Sequence, residues 1–366
     1  MRAPSYETPL ADSTEVTISS VGDLMTRRDL AAPASRRLWD EIGDSLFSAD
    51  FVTGNLEFPI NPHTQHYRIL RYSVREEFAE PFISLPPKGG FDYFSLGNNH
   101  INDSYAEGVR NTMEYLDAHS ILHSGCSAVE EDIDTFPIVD INGISVALLS
   151  YTFTTNGVEL EDDFTYGVNL VRFNALDDAD YDPSLIHRHI EKARQDGADL
   201  IVCNIHWGIE FEYYPSKRLV SRAHDLLEAG VDVIVGHHPH ILNPAEWYTT
   251  KDGRNTLCCY SLGNLTSFAL KRPTMKLSEI VKFSVEAGNA SDGSRKIRLT
   301  GATIEPTFFC KHGFGKKADH RILPLFKTYE ELDSRSDLTP WQKYQIRHVY
   351  AEYQQYFLQK DAFTYV

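Results

Sequence analysis

Apolar runs that stop at short polar clusters recur along the chain. Residues 16–21 stop at Gly22-Asp23, residues 51–53 at Gly54-Asn55, and residues 91–96 at Gly97-Asn98-Asn99-His100. Residues 144–153, 200–205, 231–235, 257–262 and 297–309 are five further β-type runs; 200–205 ends at His206-Trp207-Gly208, 231–235 at Gly236-His237-His238-Pro239-His240, and 257–262 at Gly263-Asn264. Between them lie helical signals. Ser104-x-x-Glu107 reads as a capping box before a helix whose buried face carries Tyr105, Val109, Met113 and Leu116. Asp182-Pro183 opens a helix with Leu185, Ile186, His189 and Ile190. Ser216 opens another with Leu219, Val220, Ala223, Leu226 and Leu227, stopped by Gly230. Strands alternating with amphipathic helices predict an α/β fold. Thr339-Pro340 starts a later helix through Leu358, rich in Gln, Tyr and charge, which reads as a C-terminal appendage.

Composition narrows the function. The 366 residues carry 35 Lys and Arg against 52 Asp and Glu, a net charge of −17 that repels nucleic-acid phosphates and anionic membranes at long range. Five cysteines without C-x-x-C spacing predict reduced thiols, neither a disulfide framework nor a zinc ribbon. Residues 1–17 lack the apolar core of a signal peptide or anchor, so the expected location is cytoplasmic.

The strand ends deliver Asp23, Asn55 with Glu57, Asn99 with His100, His206, and His237 to His240. Ligands of open α/β sheets bind beyond the carboxyl ends of the strands, so these groups are expected to converge there. Imidazole, carboxylate and amide oxygen without thiolate suit one or two ions of manganese, iron or zinc. Trp207, Tyr213 and Tyr214 are candidates for a substrate cleft. Basic pairs just after motif strands, Arg27-Arg28 and Lys271-Arg272, are candidates for a cationic rim.

Gly22-Asp23, Gly54-Asn55-Leu56-Glu57, Gly97 to His100, Tyr151 with Thr155-Asn156-Gly157, His206-Trp207-Gly208-x-Glu210, Pro215-Ser216, Gly236 to His240, Glu246 and Tyr260 to Asn264 follow one another in order. In this set the chain resembles the CapA, or poly-γ-glutamate (capsule) biosynthesis, family, a branch of the calcineurin-like metallophosphoesterases. The resemblance implies a four-layer αββα sandwich, two packed β-sheets flanked by helices, over residues 16–310, with residues 311–366 as a linker and helical extension. It implies Asp23, Asn55, Glu57, Asn99, His206, His238 and His240 as metal ligands, with His237 competing with His238 for one role. It further implies His100 as the group acting on substrate; Glu57 is a second catalytic candidate, and Glu210, with Trp207 and the basic pairs, is a candidate substrate contact. Two departures stand out. Met25 occupies a position where metallophosphoesterases carry a histidine, and Asn55 replaces their bridging aspartate. The implied reaction is hydrolysis of a γ-glutamyl or peptide amide or of a phosphoester, with an anionic peptide, polyglutamate or phosphoester as substrate. Peptide epimerisation, and a non-catalytic accessory role beside a polymer synthase, are the alternatives.

Overall fold

The structure is a computed structural model that describes residues 3–6, 8–26, 30–31, 34–63, 66–68, 71–267, 272–313 and 317–366. The chain first lays down β1 (Ala11–Leu24), a short helix α1 (Gly43–Leu46), β2 (Phe51–Leu56), a hairpin of β3 (His66–Arg68) and β4 (Arg71–Ser73), α2 (Glu80–Ile83), β5 (Tyr93–Ser95), α3 (Tyr105–Ala118) and β6 (Leu122–Ser124). It then builds a second sheet from β7 (Ile138–Ile141), β8 (Ile144–Thr152), β9 (Leu200–His206), β10 (Val233–His237), β11 (Leu242–Thr249) and β12 (Asn255–Leu262). Helices α4 (Ser184–Gln195) and α5 (Lys217–Ala229) flank β9 in sequence. Finally it returns with β13 (Asn264–Thr266), β14 (Leu277–Asn289), β15 (Arg295–Cys310), β16 (Arg321–Pro324), α6 (Leu325–Glu330), α7 (Pro340–Tyr356) and β17 (Thr364–Tyr365).

The first sheet runs β16-β15-β14-β1-β2-β5-β6, with β13 joined to β1 and β17 to β15; the second runs β11-β12-β10-β9-β8-β7. Val16, Ile18, Val281, Phe283 and Val285 of the first sheet share one buried cluster with Val146, Leu148, Val202 and Val235 of the second. Leu56, Phe94, Val109 and Leu116 form a cluster on the outer face of the first sheet, under α3. Ile186, Ile190, Ala223 and Leu226 of α4 and α5 pack with Ile201 and Ile234 on the outer face of the second. Helices therefore cover both outer faces, giving the four-layer sandwich that the resemblance implies. Ile346, Val349 and Tyr353 of α7 pack with Leu277 and Phe308, so the C-terminal helical extension shares a core with β14 and β15.

Several expectations change in detail. Ser104 precedes α3 but its side chain makes no capping hydrogen bond; Glu161 Oε2 instead accepts from Ala106 N at 2.8 Å. Tyr105, expected on the buried face, has φ 56 and is 43% exposed, while Ala106 and Thr112 are buried beside Val109 and Leu116. The strand β14 is absent from the sequence reading, although Val281, Phe283, Val285 and Ala287 alternate inward along it. The capping at Ser216, whose Oγ accepts from Leu219 N, and at Thr339 with Gln342 is as expected of helix N-termini. All five cysteines are free and buried, and among the described residues no helix is long and apolar enough to cross a membrane.

Candidate metal centre

The parallel strands of both sheets end at one edge, and register brings their last residues together. Asp23 on β1 pairs with Asn55 on β2 and with Asn264 on β13, while His206 on β9 pairs with His237 on β10. Close backbone approach requires glycine at two of these ends. A Cβ at Gly22 would lie 2.1 Å from Gly263 O, and one at Gly236 would lie 2.1 Å from Tyr260 O. Beyond β10 the chain enters strained territory, with φ 97 at His238 and φ 57 at His240, values that side chains other than glycine rarely adopt. Such strain persists where surrounding bonds fix it. Here His238 N donates to Asp23 Oδ2 at 3.3 Å, and Asn264 Nδ2 donates to His240 O at 2.9 Å.

Asp23, Glu57 and His206 are buried, and their ligand atoms lie within 4.8 Å of one another, a group that could hold a metal ion. Asn55 joins them, its Nδ2 donating to Asp23 Oδ1 at 2.9 Å and its Oδ1 accepting from Asn98 Nδ2 at 3.4 Å. His206 Nε2 lies 3.2 Å from His238 Nδ1 and 3.6 Å from Glu57 Oε1. The His240 ring has Nδ1 3.0 Å from Asn264 Oδ1 and 3.2 Å from Asp23 Oδ2, so that nitrogen carries a proton and Nε2 faces Glu57 Oε1 at 3.5 Å. His237 also belongs here, with Nδ1 3.2 Å from Asp23 Oδ1 but without hydrogen-bond geometry. The competition between His237 and His238 thus ends with both rings at the site.

The polar inventory fits a cation. Neither Glu57 oxygen has a hydrogen-bond partner, nor does either ring nitrogen of His237 or Oδ1 of Asn99, whose Nδ2 is spent on Asn156 Oδ1 at 3.1 Å. Buried polar atoms are rarely left so, and the carboxylate and imidazole acceptors gathered at Asp23, Glu57 and His206 are the donor set of a hard or borderline metal. The electrostatics agree. Burial and the neighbouring Asp23 carboxylate push Glu57 well above the usual carboxylate range. Burial acts to raise Asp23 as well, but His237 and His240 hold it well below that range. Burial and His238 push His206 far down, and burial with His240 pushes His238 down to about 3. Burial opposes charge on His240, but Glu57 and Asp23 outweigh it and push that imidazole up to about 10.

Among the described residues His100 shares no hydrogen bond with this group, although its charge is felt at His238. Its Nδ1 lies 2.7 Å from Asp103 Oδ2, which also accepts from Tyr72 N, and its Nε2 makes no hydrogen bond among the described residues. The tight turn from His100 to Asp103, closed by Asp103 N to His100 O at 2.9 Å, puts the carboxylate beside the ring. The sequence reading passes over Asp103, although His-x-x-Asp at a turn is a readable signal.

Among the predicted substrate contacts, Trp207 is a correction. It is fully buried, donates from Nε1 to Tyr260 O at 3.0 Å and packs in the core under α5. It cannot line an open cleft. Tyr213 packs half-buried against Phe357, with ring centroids 6.1 Å apart, whereas Tyr214 is exposed. Glu210 is exposed at the rim, and its charge is felt at Glu57 and His240. Arg272 is exposed; Arg27, Arg28 and Lys271 lie outside the described residues. Met25 is buried and donates its N–H to Thr266 O at 3.2 Å, so no imidazole enters the site from that position.

Residues 17–268 match the family described as "Bacterial capsule synthesis protein PGA_cap". The chain belongs to this family. It is 28% identical over 261 residues to the capsule biosynthesis protein CapA of Bacillus anthracis, spanning 69% of this chain and 60% of that protein. It is 26% identical over 254 residues to the PGA biosynthesis protein CapA of Bacillus subtilis (strain 168), spanning 68% and 62%. The matched region is thus under two thirds of either relative's length. Among solved structures, a putative 5'-nucleotidase from Staphylococcus aureus aligns with 92% of this chain and 58% of its own, at 11% identity and TM-score 0.46. The two packed sheets flanked by helices agree with the αββα sandwich that the sequence resemblance implies.

Proposed function

We propose that this PGA_cap protein is a metal-dependent hydrolase of γ-glutamyl or peptide amide bonds, or of phosphoesters, in the metabolism of poly-γ-glutamate or a related polymer. The observation that carries this reading is the buried Asp23–Glu57–His206 group in which neither Glu57 oxygen makes a hydrogen bond. Asp23, Glu57, Asn99, His206, His238 and His240 would hold one or two ions of manganese, iron or zinc, with Asn55 and His237 at their side. A bound cation supplies Lewis acidity toward a carbonyl or phosphoryl oxygen and lowers the pKa of water. Asn264 and Asp23 hold the His240 proton on Nδ1 and thereby orient Nε2 inward. Asp103 does the same for His100, whose Nε2 is left to stabilise or protonate the reacting group. An exposed Arg272, with Arg27, Arg28 and Lys271, would form the rim for an anionic substrate.

The test pairs elemental analysis with turnover. Purified protein is expected to carry manganese, iron or zinc, to lose most of it in His206→Ala, and to cleave either p-nitrophenyl phosphate or a γ-glutamyl anilide. Full metal content in His206→Ala overturns the ligand set. Tight metal with no turnover of either substrate class would favour the accessory role.

A further inference from the structure

The loop after β9 builds an apolar wall beside the centre that bond cleavage itself does not require. Gly208 N donates to Asn174 Oδ1 at 2.9 Å, Phe211 N to Pro239 O at 2.8 Å, and Asn243 Nδ2 to Glu212 O at 2.8 Å. The middle bond ties this loop to the turn that carries His238 and His240. At its centre Phe211 sits at φ 67, a left-handed conformation that is strained for an aromatic residue. The loop holds that strain and presents the ring 6.3 Å from the His240 ring while leaving Phe211 39% exposed. Phe153, half-buried, stands edge-on to His238 at 4.8 Å. Two aromatic rings therefore border two candidate ligand histidines. Ile209 and Tyr214 extend the apolar surface of the loop, at 61% and 58% exposure.

Charge says what enters here. Among the described residues, the charges acting most strongly on Asp23, Glu57, His206, His238 and His240 are one another, His100, His237 and Glu210, with no lysine or arginine. Glu210, next to Phe211, disfavours a carboxylate at this wall. We propose that Phe211, with Phe153, is a specificity-determining wall that receives an uncharged aromatic or branched apolar group of the substrate, adjacent to the bond that reacts at the metal centre. This rests on the hydrolase reading above and adds to it the side of the substrate that faces the second sheet.

The experiment compares phenylphosphonate with methylphosphonate, which share a metal-seeking head and differ in the ring, by calorimetric titration of the manganese-loaded full chain. The expected result is phenylphosphonate bound about tenfold tighter than methylphosphonate, the scale of one good aromatic contact. Phe211→Ala should abolish the preference while manganese content stays at the wild-type level. Phe211→Gly, which the positive φ favours, serves as a second variant that relieves rather than adds backbone strain. Equal wild-type affinities, or a preference that survives in both variants, overturns the wall. Binding of neither phosphonate by protein of full manganese content also overturns it, and leaves metal binding standing. Failure to load manganese, iron and zinc alike defeats the hydrolase reading instead.

Discussion

Replacing Glu57 by Leu should stabilise the metal-free protein while abolishing its response to metal. The Glu57 side chain is fully buried, and its nearest basic atoms, His240 Nε2 at 3.5 Å and His206 Nε2 at 3.6 Å, are too distant for good hydrogen bonds. A buried polar group without a hydrogen bond costs about 1–3 kcal/mol, and His240 keeps Asp23 Oδ2 at 3.2 Å, so removing two such oxygens in favour of an apolar side chain of similar reach should return roughly 2–4 kcal/mol. At about 2.1 cal/mol/K per residue, a chain of 366 residues has an unfolding entropy near 0.8 kcal/mol/K, so the melting temperature should rise about 3–5 °C. Metal reverses the ranking. At a free concentration of about a hundred times Kd, a ligand that binds only the folded state adds about 2.7 kcal/mol to the wild type, and this gain should vanish in Glu57→Leu. Scanning calorimetry in EDTA and in excess Mn²⁺ measures both quantities. A variant less stable than wild type in EDTA, or one with an undiminished metal shift, would refute the assignment of Glu57 as a carboxylate held in place for a cation.

Two further outcomes follow from other groups. His100→Asn should retain metal and lose turnover by roughly a hundredfold or more; Asp103→Asn should lower kcat by about ten- to a hundredfold with KM nearly unchanged and shift the pH profile, and loss of metal in either variant would reassign them. Burial pushes Glu279 on β14 up to about 7, against the pull of the Tyr353 hydroxyl donating at 2.5 Å, so the folded protein holds that proton more tightly than the unfolded chain. Stability from this group is therefore full below pH 4.5, its ordinary value, and is lost as pH rises toward 7. Denaturation between pH 4.5 and 7.5 should show wild type losing on the order of 3 kcal/mol relative to Glu279→Gln, and parallel profiles would exclude the effect.

Much of the site was legible because its residues stand where strands stop. Glycine and polar clusters after apolar runs mark the carboxyl edge of a parallel sheet, and Asp23, Asn55, His206 and His238 meet there with hundreds of intervening residues folded away. Direction was harder. Trp207 follows His206 immediately, and successive side chains at a strand end point to opposite faces, so the residue after an inward histidine belongs to the outer core. That alternation alone would have removed Trp207 from the cleft. The strand β14 was obscured by Glu279, Lys282 and Glu286 breaking a continuous apolar run, although the period of two survives beneath them.

Other features depend on conformation and have no composition to betray them. His238, His240 and Phe211 occupy left-handed backbone, which a sequence signals when glycine or asparagine fills the position and conceals when histidine or phenylalanine does. The two hidden kinds of feature share a physical logic. A left-handed histidine costs backbone energy, and a buried Glu57 without a hydrogen bond costs desolvation, so local preference alone would select neither at these positions. Both are sustained by elements distant in sequence. Asn264 and Asp23 fix the histidine turn, while β1 and β2 hold the buried Glu57 at their ends, its N–H donating to Leu24 O. Costs of this kind, carried by the Glu57 oxygens and by the backbone of His238 and His240, are expected where binding as well as folding selected the residues.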